Sequence, residues 1–121
     1  MENEEIFIEA WCGNKDKVIE FIKNGVSPNI QNSYGNTPLM LAVLNGNTEL
    51  TKILIQAGTD LDIQNEYGST ALILACLRGY NEIVKYLIQF GANLYLKDNN
   101  GDTALDIAQT EGYSNIVEIF C

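Results

Sequence analysis

Apolar residues along this chain come in short bursts separated by polar breaks that contain glycine. Leu39 and Ala42 lie one helical turn apart, as do Leu72 and Ala75, and Leu105 and Ala108. That spacing puts each pair on one face of a helix. Gly46, Gly79 or Gly112 follows each burst, and glycine takes the left-handed conformation that ends a helix at little cost. The first helix of each unit is therefore short, about two turns. A second apolar segment opens directly behind it: Leu50 with Ile53 and Leu54, Ile83 with Leu87, Ile116 with Phe120. Thr48, Asn81 and Ser114 precede these segments in register and are expected to cap them. Gly58 and Gly91 close the second helices, and a short extended stretch and a polar turn lead to the next unit.

The turn carries a motif, Gly-x-Thr-Pro/Ala-Leu, that recurs every 33 residues as Gly35 to Leu39, Gly68 to Leu72 and Gly101 to Leu105. Gly13, Gly46, Gly79 and Gly112 keep the same step, as do Gly25, Gly58 and Gly91. Thr37 is placed to accept a free backbone N–H at a helix start, and Pro38 follows where its missing N–H costs nothing. The repeating unit is helix, turn, helix, hairpin loop. Such units bury their apolar faces only by stacking on neighbours.

This pattern resembles the ankyrin repeat, which has that order and that period. The resemblance covers nearly the whole chain and is clearest from Gly35 to Ala42, at Gly46-Asn47 and from Ile53 to Gly58. It implies an all-α solenoid of helix-turn-helix units joined by β-hairpin-like loops. It also implies one domain over residues 1–121, with repeats at approximately 2–34, 35–67, 68–100 and 101–121. One departure is complete: the family's usual His after Thr-Pro-Leu is Met40, Ile73 and Asp106, and the chain has no His. More of the stacking is therefore expected to rest on apolar contact. The outer units read as caps, because Glu2, Glu4, Glu5 and Glu9 decorate the first helix, Asp106 replaces an apolar residue, and the chain stops at Cys121 inside a second helix. A monomer is expected, with self-association only if Ile116 and Phe120 are left uncovered.

Charge narrows the partners. Seven basic and 16 acidic residues give a net charge of −9, which repels nucleic-acid phosphates and anionic membranes. The acidic start, Met1 to Glu5, is the wrong sign for a secretory signal, no apolar run has the length of a membrane span, and a cytoplasmic location is expected. Cys12, Cys76 and Cys121 are odd in number and lack CxxC spacing, so they are read as reduced thiols, Cys76 at a small buried position.

Catalytic sets are thinned by inventory. Without His there is no Ser-His-Asp or Cys-His arrangement and no His ligand for a metal, so no enzyme activity, cofactor or metal is expected. Asp98, Asn100 and Asp102 alternate like the start of a calcium loop, but the sixth position is Thr103 and the twelfth Gln109, where such a loop needs Gly and Glu. They are read as turn residues.

What remains is surface. In ankyrin proteins the hairpin tips and first-helix ends line a concave face where partners dock. The resemblance puts Ser33, Tyr34 and Asn36, Glu66, Tyr67 and Ser69, and Asn99, Asn100 and Asp102 at the tips. Trp11 and Cys12, Leu44 and Asn45, Leu77 and Arg78, and Thr110 and Glu111 fall in the helix-end column, with Gln31, Gln64 and Lys97 beside the tips. Trp, Tyr and Arg are enriched in binding hot spots, and Leu44 and Leu77 recur on a helix face expected to be partly open; with Asn45 of the same column, Trp11, Tyr34, Leu44, Asn45, Tyr67, Leu77 and Arg78 are the expected protein-binding set. Tyr80 and Tyr113, each just after a repeat glycine, are read as packing between repeats. The expected function is a non-catalytic protein-interaction module. The alternative is an acidic stoichiometric inhibitor or immunity-type protein that blocks a basic enzyme, guided by Asp98, Asp102, Asp106, Glu111 and Glu118.

Overall fold

Polar caps and glycine stops cut the chain into helices paired as the periodicity predicts. The computed structural model describes residues 2–121; Met1 and the side chains of Glu2 and Asn3, and with them the Glu2 charge expected on the first helix, lie outside the described residues. Eight helices and no strand occur among them: α1 (Glu2–Cys12), α2 (Lys15–Lys23), α3 (Pro38–Leu44), α4 (Thr48–Gln56), α5 (Ala71–Arg78), α6 (Asn81–Gln89), α7 (Ala104–Glu111) and α8 (Ser114–Ile119). The odd-numbered helices form an inner row, α1 on α3, α3 on α5, α5 on α7. Each packs against its own even-numbered partner, and α4, α6 and α8 stack behind them. This is an all-α solenoid.

The inner helices start as the sequence dictates. Thr37, Thr70 and Thr103 are their N-caps, with hydroxyls accepting from the N–H of Met40, Ile73 and Asp106 at 3.2 Å. Asp106 completes a capping box, its carboxylate accepting the Thr103 N–H at 3.0 Å. The polar residue in that register is thus held by the helix start. Met40 and Ile73, in the same register, are 1% and 2% exposed and belong to a core that runs from Ile6 to Ile116.

The second-helix caps differ from expectation by one residue. Asn14, Asn47, Tyr80 and Tyr113 are the caps, while Thr48, Asn81 and Ser114 are already the first helical residues. Residue type alone favours Asn81 over Tyr80 and Ser114 over Tyr113, but the backbone decides: ψ is 90° at Asn47, 87° at Tyr80 and 79° at Tyr113, outside the helical range. Asn47 accepts the Leu50 N–H at 2.9 Å. Tyr80 and Tyr113 make no side-chain cap bond. Their rings instead lie over the glycine of the preceding unit, where a Cβ on Gly46 would come 3.1 Å from Tyr80 Cζ and one on Gly79 would come 2.9 Å from Tyr113 Cζ. They pack between repeats, as expected.

The hairpins add hydrogen bonds that the missing histidines do not supply. The Asn32, Asn65 and Asp98 side chains each accept two backbone N–H groups of their own turn, at 2.9–3.0 Å. Neighbouring turns are then tied together, Glu66 N–H to the Tyr34 carbonyl at 3.0 Å and Asn99 N–H to the Tyr67 carbonyl at 2.9 Å. Stacking therefore rests on this polar ladder as well as on apolar contact. At the last pair, Ile116 is fully buried and Phe120 half-buried.

Candidate protein-binding face

Each inner helix delivers its last residues to one edge of the stack, beside the hairpin tips. Trp11, Leu77 and Arg78 are exposed there, Trp11 by 47% and Leu77 by 43%, and Leu44 is half-buried. Tyr34 and Tyr67 are exposed by 58% and 64%. Their backbones are fully engaged, the N–H donating to Asn32 or Asn65 and the carbonyl accepting from the next hairpin. The turn thus fixes the residue and leaves its ring in solvent.

Between the second and third hairpins lies a groove of about 400 Å³. Ile73, Leu74 and Leu77 of α5 and Ile107 of α7 form its apolar side, with Tyr67 at the tip. Asp98, Asp102 and Glu111 supply carboxylates. Asp98 spends one oxygen on its turn, accepting from Asn100 and Asp102. Among the described residues none of the three carboxylates forms an ion pair; the cross-helix pairs, Lys15 with Glu49 and Lys52 with Glu82, lie on the outer helices.

A family model for ankyrin repeats, described as three copies, matches residues 6–98 and 45–121. The chain belongs to the ankyrin-repeat family. A comparison with curated proteins finds no match. Ankyrin repeats are generally protein–protein interaction modules, and the family is typically non-catalytic. Among the described residues of this ankyrin-repeat protein, no helix is long and apolar enough to cross a membrane.

The seven residues singled out from the sequence separate into different roles. Tyr67 and Leu77 share the groove. Asn45 is a strut, since its side-chain amide donates to the carbonyl of Trp11 and ties α3 to α1. Arg78 is exposed in the last turn of α5, where a cation suits the helix dipole, and does not line the groove. Tyr34, Leu44 and Trp11 lie on the N-terminal side of it. Gln31 and Gln64, expected beside the tips, have their amides occupied: Gln64 donates to the carbonyls of Gly68 at 2.8 Å and Lys97 at 2.9 Å, and Gln31 to those of Gly35 and Gln64.

Sequence reasoning missed Ile8. It is 61% exposed and lines a second hollow of about 500 Å³ with Phe7, Ile30 and Gln31. The signal was present as an aliphatic residue recurring at Ile8, Leu41, Leu74 and Ile107, one turn before the helix-end column. Tyr86, unassigned from sequence, clasps the outer row, its hydroxyl accepting from Gln56 at 2.8 Å and its ring stacked on Phe90 with centroids 4.6 Å apart. Cys76 is buried, and burial pushes its thiol up to about 12, whereas Cys12 and Cys121 are exposed.

Proposed function

We propose that this ankyrin-repeat protein is a non-catalytic adaptor that binds a protein partner along the concave edge formed by its hairpin tips and inner-helix ends. The observation that carries this reading is the pairing of exposed Tyr67 and Leu77 in one groove. Large apolar side chains held on rigid backbone and left in solvent are the means by which a surface gains affinity at small entropic cost. Trp11 and Leu44 extend the strip toward the N-terminal units, with Tyr34 and Arg78 at its border. The protein works as a monomer in the cytoplasm, and nucleic acid is not its partner because the net charge of −9 repels phosphate.

A second reading, an acidic inhibitor of a basic enzyme, is favoured by that same charge. The two differ in what holds the complex. Capture from lysate with wild type and with Trp11→Ala/Leu77→Ala, washed at low and high salt, separates them. A partner that survives high salt but is lost from the variant supports the adaptor; one that elutes with salt from both supports the inhibitor.

A further inference from the structure

We infer that the groove between α5 and α7 is a receptor for one Arg or Lys side chain, flanked by an apolar residue, on the partner protein; this rests on the concave edge being the binding face. The lining is divided in the way such a side chain is divided. Leu74, Leu77 and Ile107 offer apolar surface for an aliphatic stem, and Asp98, Asp102 and Glu111 offer carboxylates for the charged head. Tyr67 adds an exposed ring, a favourable neighbour for a guanidinium. Roughly 400 Å³ accommodates one long side chain and its apolar neighbour, and is small for a folded element.

The carboxylates are poorly explained by the fold itself. Glu111 is the last residue of α7, where a negative charge opposes the helix dipole and no basic residue compensates in the last turn. The Asp102 side chain contributes nothing to its turn, which is closed by the backbone carbonyl of Asp102 and by Asp98. Asp106 and Glu118, acidic neighbours in sequence, are elsewhere: Asp106 caps α7, and Glu118 lies across a cleft from Lys85 on the outer row. Of the nearby cations, Arg78 stays outside the groove and Lys97 lies near Asp106. Among the described residues, Asp102 and Glu111 thus line the groove without forming an ion pair.

The test is to pan a random linear peptide library against the full chain. The best binder is then synthesised, and its affinity measured for wild type, Asp102→Asn/Glu111→Gln and Trp11→Ala/Leu44→Ala. The selected peptides should carry Arg or Lys beside an apolar residue. Affinity should fall roughly tenfold or more for Asp102→Asn/Glu111→Gln, and equally when the peptide's basic residue becomes norleucine. Glu111→Gln removes a charge from the unfavourable end of a helix, so the variant should fold at least as well as wild type, which thermal melting verifies. Peptides that lack a basic residue, bind both carboxylate variants and wild type alike, and lose affinity with Trp11→Ala/Leu44→Ala would overturn the cation receptor while leaving the concave edge as the binding face. Peptides indifferent to all four substitutions would overturn both.

Discussion

The ring of Tyr113 closes over Gly79 so tightly that a Cβ on the glycine would sit 2.9 Å from Cζ. Gly79 ends α5 at φ +75°, so any other residue is strained there even before it meets the ring. Gly112 ends α7 at φ +76° with nothing in the space where a Cβ would go. Gly112→Ala should therefore cost the backbone term alone, about 1–2 kcal/mol. Gly79→Ala should cost about 2–4 kcal/mol, because overpacking against Tyr113 is added. Urea denaturation of both variants, of Tyr113→Ala and of Gly79→Ala/Tyr113→Ala, measures the difference. Measured against Tyr113→Ala alone, Gly79→Ala should cost less than it does in wild type; equal costs at the two glycines would show that the ring simply moves aside.

Thr103 and Asp106 make the start of α7 sensitive to acid. The Thr103 backbone N–H, and then its hydroxyl, hold the Asp106 carboxyl below the usual value of 3.8. A carboxyl lowered in the folded state stabilises it above the unfolded pKa, and that stability is lost as pH falls through the folded value. The stability difference between wild type and Asp106→Asn should be constant from pH 7 to about 5 and shrink below about 4. Denaturation midpoints across that range check the sign. A difference that grows on acidification would contradict the capping box.

The thiols should divide two to one by reactivity. Cys12 and Cys121 are exposed, while Cys76 is buried in α5 with its pKa pushed up to about 12. The thiolate is the reactive form, so at pH 8 an aromatic disulfide reagent should modify Cys12 and Cys121 quickly, and Cys76 only as fast as the stack opens. Added urea should bring the third thiol into the fast phase. Three fast thiols in native buffer would mean that α5 does not seal the core.

The repeat was legible because it is built from residues whose backbone demands are nearly unique. Threonine before Pro38, Ala71 and Ala104 starts a helix, and glycine at 46, 79 and 112 ends one. The start of each second helix was less so, since Asn47 and Thr48 are both good caps and only the backbone angles choose between them. The resemblance to ankyrin repeats, applied register by register, put Tyr67 and Leu77 on one face, and both line the groove. Other roles depend on contacts between units that no single repeat reveals. Gln64 looks like a free surface amide in its own unit, yet reaches Lys97 in the next. Ile8 shares a register with Leu41 and Leu74, but those two are 8% and 6% exposed because each inner helix there has neighbours on both sides, whereas α1 packs chiefly against α2 and α3.

Hydroxyl-radical footprinting of the protein, alone and bound to its captured partner, tests the binding face most directly. Trp11, Tyr34 and Tyr67 are exposed aromatic reporters on the tips and inner-helix ends, while Phe90 and Tyr95, exposed by 46% and 80%, report on the end of an outer helix and the loop behind it. Binding along the concave edge predicts strong protection of Tyr67 and Trp11, with oxidation of Phe90 and Tyr95 unchanged. Protection of Phe90 and Tyr95 with Trp11 and Tyr67 still oxidised would contradict it and move the interface to the outer side of the stack.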